Sequence, residues 1–167
     1  MLRKILLFLL VVLIAIQFIR PKKNASPGVQ ANYIGNKYTV PDDVKQILAK
    51  ACNDCHSNNT RYPWYSKIQP VAWWLNDHIK DGKKAINFDE YTDKRLRFQY
   101  HKMEEVEDMV KEGKMPLKSY LWIHKDAKLT ADEKQKIFNW TNSVRDTLEA
   151  QYPMDSLVRP KTATPPK

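Results

Sequence analysis

The sequence is organised around residues 52–56, which read Cys-Asn-Asp-Cys-His and contain both cysteines of the chain. Cys55 follows Cys52 by three residues, and His56 follows Cys52 by four. Residues at these spacings lie on one face of a helix, so both thiols and the imidazole would point the same way. The motif can therefore hold one group by two sulfur bonds and one imidazole ligand.

This C-x-x-C-H pattern is typical of c-type haem attachment, in which two thiols form thioether bonds to the haem vinyl groups and the imidazole reaches the iron. A redox disulfide would use the same cysteine pair, but that interpretation needs a βαβ context and the sequence shows no strand pattern. A structural zinc site needs four ligands, so two histidines from elsewhere would have to complete it. We predict one covalent haem c, with iron bound by His56, and keep the disulfide and zinc as alternatives.

An apolar run at residues 5–19, interrupted only by Gln17, lies between Arg3 and Arg20. Signal sequences have this charge pattern, but no small-x-small cleavage site follows the run. The run is shorter than a bilayer core, and snorkelling by the flanking arginines would help it span. We predict an uncleaved transmembrane anchor at 1–20, with a cleaved signal peptide as the alternative. Because covalent haem is attached outside the cytoplasm, the predicted location is the cytoplasmic membrane, single-pass, with the haem domain facing the periplasm.

The chain has a formal net charge of +9, from 28 Lys and Arg against 19 Asp and Glu. A basic surface attracts anionic lipid or an acidic protein by electrostatic steering. The predicted partners are the inner membrane, through the N-terminal helix, and an acidic redox partner protein. Nucleic acid is excluded as a partner for an exported protein. A solvated basic face with no dedicated partner is the alternative.

Composition divides the rest of the chain. Residues 21–38 mix Pro, Lys, Asn, Gly and Ser without periodicity and predict a tether, while residues 153–167 predict a disordered tail. Apolar residues at helical spacing between them predict an all-α haem-binding domain at 39–152. Its four helices are predicted at about 41–55, 67–81, 92–112 and from 130 onward.

The sequence contains several helix start and stop signals. Thr130 with Glu133 forms a capping box before the last helix, and Ser66 with Gln69 forms another before the second. Gly82 and Gly113 are expected to end the second and third helices. Large aromatic side chains around the start of the second helix are predicted to cover a haem face, with core packing as the alternative: Trp64, Tyr65, Trp73 and Trp74.

The second iron ligand decides what a haem can do. Met115 precedes Pro116, which disfavours helical geometry at Met115 and stiffens a loop that could hold a thioether on iron. We predict Met115 as that ligand. His78, His124 or an open position are the alternatives. Three further methionines and one histidine are less suitable, because they are expected in the core, in the tail or on the surface: Met103, Met109, Met154 and His101.

The stretches Cys-Asn-Asp-Cys-His-Ser-Asn-Asn-Thr, Tyr-Pro-Trp-Tyr, Trp-Trp-Leu-Asn-Asp-His-Ile and Met-Pro-Leu resemble the bacterial haem-binding domain family over most of residues 45–140. The order of motif, Met-Pro loop and final helix is similar to class I cytochromes c. The resemblance implies one covalent haem c held at Cys52, Cys55 and His56, with the first and last helices crossing. It implies no specific reaction.

The sequence thus predicts a cytochrome c-like helical domain, preceded by a transmembrane anchor, that carries single electrons, and it leaves enzyme activity open as an alternative. One alternative is a peroxidase-like haem enzyme with an open distal site, served by His78 or His124 with Arg61. Another is a haem-based gas or redox sensor, or an assembly factor whose aromatic cluster binds a partner.

Overall fold

The computed structural model describes residues 1–159 of the chain. Over these residues the regular elements are helices, apart from one isolated parallel bridge between Asn32 and Glu90, so the predicted all-α class is confirmed. The α-helices are α1 Leu2–Ile16, α2 Asp42–Ala51, α3 Asn53–His56, α4 Val71–Ala85, α5 Leu96–Lys111, α6 Lys118–Leu121, α7 Ala131–Gln151 and α8 Met154–Leu157. Short 3₁₀ turns occur at Ile34–Asn36, Trp64–Lys67 and Lys125–Ala127.

The chain forms two compact units. Unit 1 comprises Met1–Gly28 and Asp54–Asn87, and unit 2 comprises Val29–Asn53 and the chain from Phe88 onward. The boundary therefore falls inside the C-x-x-C-H motif, with Cys52 in unit 2 and the second cysteine and the histidine in unit 1.

Unit 2 is built on α2, α5 and α7, and α8 packs against α5. The predicted apolar stripe of α7 is buried throughout, which confirms the helical periodicity read from the sequence: Ile137, Trp140, Val144 and Leu148. The predicted stripe of α2 is also buried: Val44, Ile47, Leu48 and Ala51. These two stripes place the residue before Cys52 in the hydrophobic core.

The ends of the unit 2 helices follow local sequence signals. Both bonds of the predicted Thr130 capping box are present: the Glu133 N–H donates to Thr130 Oγ1 at 3.2 Å and the Thr130 N–H donates to Glu133 Oε2 at 2.9 Å. Gly113 has φ of +68°, the left-handed conformation that ends a helix, as predicted for the residue after α5. Residues 153–159 of the predicted tail include α8, whose Leu157 is buried, and residues 160–167 lie outside the described residues.

In unit 1, helix α4 begins and ends later than predicted. Pro70 precedes it without a side-chain cap, so the predicted Ser66 capping box is wrong. The helix also continues through Gly82 to Ala85, so the predicted stop is wrong as well. The Gln69 side chain is used in other bonds: its Nε2 donates to the Ile19 carbonyl oxygen at 2.6 Å, and its Oε1 accepts from the Trp73 N–H, in the first turn of α4, at 3.3 Å.

The predicted transmembrane anchor is wrong, because no helix within residues 1–159 is long and apolar enough to cross a membrane. Helix α1 has 15 residues, about 22 Å at 1.5 Å per residue, against a bilayer core of about 30 Å. The chain leaves the helix at Gln17, whose Nε2 donates to the Gln69 carbonyl oxygen at 3.2 Å and whose Oε1 accepts from the Gln69 N–H at 2.9 Å. The same finding overturns the predicted single-pass location in the cytoplasmic membrane.

Candidate functional site

The C-x-x-C-H motif begins where α2 ends. The Cys52 N–H still donates to the Leu48 carbonyl oxygen at 2.9 Å, but Cys52 has φ of −127° and ψ of −46°, outside helical geometry. The single turn of α3 then carries Cys55 and His56. The predicted continuous helix over 41–55 is therefore interrupted at the first cysteine.

Each cysteine lies partly buried against the core of its own unit. Cys52 packs on a cluster in unit 2 that includes Ile47 and Ile137. Cys55 packs on a cluster in unit 1 formed by Tyr65, Leu75 and Ile79. Apolar surroundings of this kind suit thiols that become thioethers, which carry no charge.

Burial raises the pKa of the Cys55 thiol to about 11, with a smaller contribution from the negative charge of Asp54. A redox C-x-x-C pair needs the opposite, a lowered thiol pKa that provides a nucleophilic thiolate. The electrostatics at Cys55 therefore argue against the disulfide alternative. The zinc alternative also loses support, since residues 1–159 contain no group of three or more His, Cys, Asp or Glu placed to hold a metal ion.

The imidazole of His56 is oriented by the last turn of α4. Its Nδ1 lies 3.0 Å from the carbonyl oxygen of Gly82 and 3.0 Å from that of Ile86. Carbonyl oxygens only accept hydrogen bonds, so Nδ1 is the protonated nitrogen. In the neutral ring the lone pair is then on Nε2, which is the arrangement of a metal-binding histidine whose other nitrogen donates to a carbonyl. The donor chemistry of His56 fits a haem iron.

Gly82 also brings α4 close to the motif. A Cβ at position 82 would lie 2.7 Å from the Cys55 carbonyl oxygen and 3.0 Å from the Cys55 Cβ. Backbone and Cβ atoms cannot move aside cheaply, so only glycine permits this approach. The mid-helix glycine, read from the sequence as a helix stop, is a packing position.

Asp54, between the two cysteines, fixes the loop that follows the motif. Its buried carboxylate accepts from the Arg61 N–H at 3.1 Å and from Arg61 Nε at 3.3 Å. The Thr60 hydroxyl donates to the Asp54 carbonyl oxygen at 2.7 Å. Farther along, Asn87 Nδ2 donates to Asn58 Oδ1 at 2.8 Å. The loop at 57–62 is thus tied to the attachment turn by specific hydrogen bonds.

Asn24 joins the segment after α1 to the same loop. Its Nδ2 donates to the Ser57 carbonyl oxygen at 2.9 Å and to Thr60 Oγ1 at 3.0 Å. Its backbone N–H donates to the Tyr62 hydroxyl at 2.6 Å, and its Oδ1 accepts from Lys83 Nζ at 2.8 Å. One asparagine therefore connects the N-terminal segment, the post-motif loop and α4.

Asn24 lies in the stretch for which the sequence predicts a tether, residues 21–38. Another residue of that stretch, Ile34, is fully buried in unit 2. Neither contact could be recognised from composition, because a polar side chain in a Pro- and Lys-rich segment has no periodic signature. The domain limits 1–20, 21–38, 39–152 and 153–167 stay predictions.

The four aromatic side chains predicted to cover a haem face have different environments. Tyr65 is 8% exposed and belongs to the Cys55 cluster, whereas Trp64 is 72% exposed and meets the Tyr65 ring edge-on at 5.9 Å. Trp74 is 46% exposed, and Trp73 is partly buried. Of the four, the structure brings Tyr65 into contact with the motif, and their roles at a haem stay predictions.

Met115 lies in the turn after α5, partly buried. Its N–H donates to the Met109 carbonyl oxygen at 3.1 Å, and the Lys114 N–H donates to the same oxygen at 2.9 Å. Met103, by contrast, is fully buried in α5, as expected of core packing. Met115 stays the predicted second ligand.

The other histidines are engaged with neighbouring side chains. The His78 ring lies against Trp74 in a tilted arrangement, with ring centroids 4.2 Å apart, and its Nδ1 donates to the Trp74 carbonyl oxygen at 2.9 Å. The His124 ring is stacked on Tyr120 at 4.1 Å. His101 is exposed. These contacts are those of packed or surface side chains.

Sequence reasoning missed Gly82, Ile86, Asp54 and Asn24 as parts of the site. A signal existed only for Gly82: a glycine followed by two lysines inside a helical pattern indicates close backbone approach as readily as a helix end. The other three act through backbone carbonyls or through contacts between distant segments.

Comparison with known proteins gives one match. The model of a family described as a haem-binding domain matches residues 11–143, which include the motif, α4 and Met115. No curated protein and no solved structure matches the chain. The similarity to class I cytochromes c therefore stays a prediction.

Proposed function

The chain belongs to the haem-binding domain family, and from that premise we propose that it is a c-type haem protein that moves single electrons. The observation that supports this most strongly is the position of His56 Nδ1, 3.0 Å from the carbonyl oxygens of Gly82 and Ile86. Because carbonyls only accept, Nδ1 carries the proton and Nε2 the lone pair that an iron ligand needs. The adjacent cysteines supply the two sulfurs for covalent attachment.

When bound, haem supplies an iron that exchanges one electron between its ferrous and ferric states. The thiols of Cys52 and Cys55 would hold the haem through thioether bonds to its two vinyl groups, each thiol proton passing to the neighbouring vinyl carbon. Burial of Cys55 keeps that thiol protonated and protects it from disulfide exchange.

The protein orients the ligand imidazole before iron is bound. The acceptors for His56 are carbonyls of the last turn of α4, where the helix dipole is negative. A negative end facing the Nδ1 proton favours this tautomer and strengthens the donation of the ring through Nε2. Gly82 lets this helix end approach the attachment turn.

We propose Met115 as the second ligand. Its turn is held by the two bonds to the Met109 carbonyl oxygen and by the left-handed Gly113, so the thioether is presented from a fixed backbone. Two strong protein ligands leave no coordination position for a substrate, and a Met ligand raises the reduction potential relative to a second His. Both properties suit an electron carrier.

The enzyme and sensor alternatives require an open or displaceable distal position. Their candidate polar groups have other contacts: Arg61 is bonded to Asp54, and His78 is bonded to the Trp74 carbonyl oxygen. The His124 ring is stacked on Tyr120. These contacts favour the electron carrier.

The test is an optical spectrum of the full chain produced with c-type haem-attachment machinery. Haem that resists acid-acetone extraction, sharp reduced bands, a Met–iron charge-transfer band and no response to carbon monoxide are expected. In the matched control, Cys52→Ser with Cys55→Ser, acid-acetone should remove any haem. A high-spin spectrum that shifts with carbon monoxide would contradict the electron-carrier proposal and favour a haem enzyme or sensor. Absence of haem from the parent chain would overturn the proposal.

A further inference from the structure

The net positive charge of the chain is concentrated in one unit. Unit 1 contains ten Lys and Arg and three Asp, a formal charge of +7, whereas the described residues of unit 2 contain sixteen basic and sixteen acidic residues and are neutral. Unit 1 also carries the proposed iron ligand His56. The basic character of the protein is therefore a property of the unit that holds the attachment turn.

Three of these cations lie in the loop that follows the motif or contact the residues bonded to it, and Lys22 precedes one of them in the chain. We call the four the basic patch: Lys22, Lys23, Arg61 and Lys83. The Lys23 ammonium lies 5.7 Å from the centre of the Tyr62 ring. Lys83 bonds to Asn24, whose N–H donates to the Tyr62 hydroxyl. Lys22 and Lys23 are exposed, and the Arg61 side chain is 64% exposed. The hydrogen bonds of Asn24 thus bring cations from three segments onto one loop.

Unit 1 has three aspartates against its ten basic side chains. Asp54 is buried and pairs with Arg61. Asp77 lies on α4, 3.6 Å from Lys80, and Asp81 is exposed on the same helix. An excess of exposed cations around a loop held by hydrogen bonds attracts an anionic surface and orients its approach.

We propose that the basic patch is the docking site for a protein partner with an acidic surface. The patch borders the attachment turn, because Asn24 donates to the carbonyl oxygen of Ser57, the residue after His56. A partner seated there would lie next to the proposed haem, and its role as a redox partner rests on the proposed electron-carrier function. Electrostatic docking of this kind gives fast association that weakens with salt, which suits a carrier that must also dissociate.

The test measures binding of the full-length holoprotein to poly-L-glutamate by calorimetry at low ionic strength. The patch variant is Lys22→Gln with Lys23→Gln. The matched control is Lys118→Gln with Lys128→Gln, two exposed positions of unit 2 that remove the same net charge. We expect the patch variant to lose roughly tenfold in affinity and the control less than about twofold, with parent binding weakening as salt increases.

Equal losses in the two variants would show that binding follows net charge, and would overturn the proposal. A second probe is a vesicle of phosphatidylcholine with phosphatidylglycerol. If the patch variant weakens binding to these vesicles and leaves binding to poly-L-glutamate unchanged, the patch recognises lipid head groups and the proposal is wrong.

Oxidation of the reduced holoprotein by ferricyanide, an anionic acceptor, should be slower in the patch variant and unchanged in the control. Poly-L-glutamate binding needs no redox activity, so a chain without functional haem still tests the patch. A failure of the docking proposal can therefore be distinguished from a failure of the electron-carrier proposal.

Discussion

The carbonyl oxygen of Gly82 lies 3.0 Å from Nδ1 of His56. Because position 82 has no Cβ, the same residue lets α4 approach the backbone of Cys55. One residue therefore orients the proposed iron ligand and makes room for the turn that carries a proposed attachment thiol.

Gly82→Ala should destabilise the protein although alanine is the better helix former. The added Cβ would lie 2.7 Å from the Cys55 carbonyl oxygen, and overpacking of this kind costs about 1–3 kcal/mol against a helix-propensity gain of about 1 kcal/mol. Urea unfolding should show a lower midpoint, and the reduction potential of the holoprotein should shift because the imidazole is displaced.

The control is Lys84→Ala, an exposed position of the same helix. It should leave both the unfolding midpoint and the potential close to those of the parent. A Gly82→Ala protein with parental stability and potential would contradict the positioning role.

Met115→Ala should lower the reduction potential and open the iron to carbon monoxide, since a weak water ligand replaces the thioether. Redox titration and carbon monoxide difference spectra measure the two effects. The control is Met154→Ala, which also removes a thioether, at a position that is 48% exposed. It should change neither the reduction potential nor the response to carbon monoxide. If the two variants behave alike, the ligand is another residue, and His78→Ala and His124→Ala would be compared next.

The Cys55 thiol should be unusually unreactive in the haem-free protein. The pKa of Cys55 is about 11 in the folded protein, against an ordinary value of 9.0. In a Cys52→Ser variant at pH 8, the folded protein should therefore contain roughly 100-fold less Cys55 thiolate than the same protein unfolded in urea. Iodoacetamide alkylation followed by mass spectrometry gives the two rates. Equal folded and unfolded rates would show that the thiol is not shielded.

The raised pKa of the Cys55 thiol also makes the stability of the haem-free protein depend on pH. Between pH 9 and 11 the unfolded chain loses the Cys55 proton and the folded chain keeps it, so the free energy of unfolding should fall as pH increases through this range. Haem attachment converts the thiol into a thioether that does not titrate. The part of this decrease in the free energy of unfolding that comes from Cys55 should therefore be absent from the holoprotein. It should also be absent from a haem-free Cys55→Ser variant.

Asn24→Ala should release the N-terminal segment from the post-motif loop. It removes the hydrogen bonds that the side-chain amide donates to Ser57 and Thr60 and the one that it accepts from Lys83. Each hydrogen bond is worth about 0.5–1.5 kcal/mol. Limited proteolysis should cut the segment around residues 21–28 faster than in the parent. Asn139→Ala, at an exposed position of α7, is the control and should leave the cleavage rate unchanged.

Local sequence signals predicted the elements that depend on neighbouring residues. The Thr130 capping box, the glycine after α5 and the buried stripes of α2 and α7 appear as expected, because caps and helical periodicity are set within a few residues. Where a distant segment competes, the same signals fail: Gln69 bonds to Gln17 and Ile19, and α4 begins at Val71 without the predicted Ser66 capping box.

The sequence by itself determined the helical class and the unit 2 stripes, and its C-x-x-C-H motif predicted where a haem would be attached. Only the tertiary structure decided that α1 stops after 15 residues, that α4 continues through Gly82, and that Asn24 and Asp54 hold the loop after the motif. The reason is physical: helix periodicity and capping depend on residues three or four positions apart, whereas a missing Cβ or a buried carbonyl acquires its role only when a distant segment packs against it.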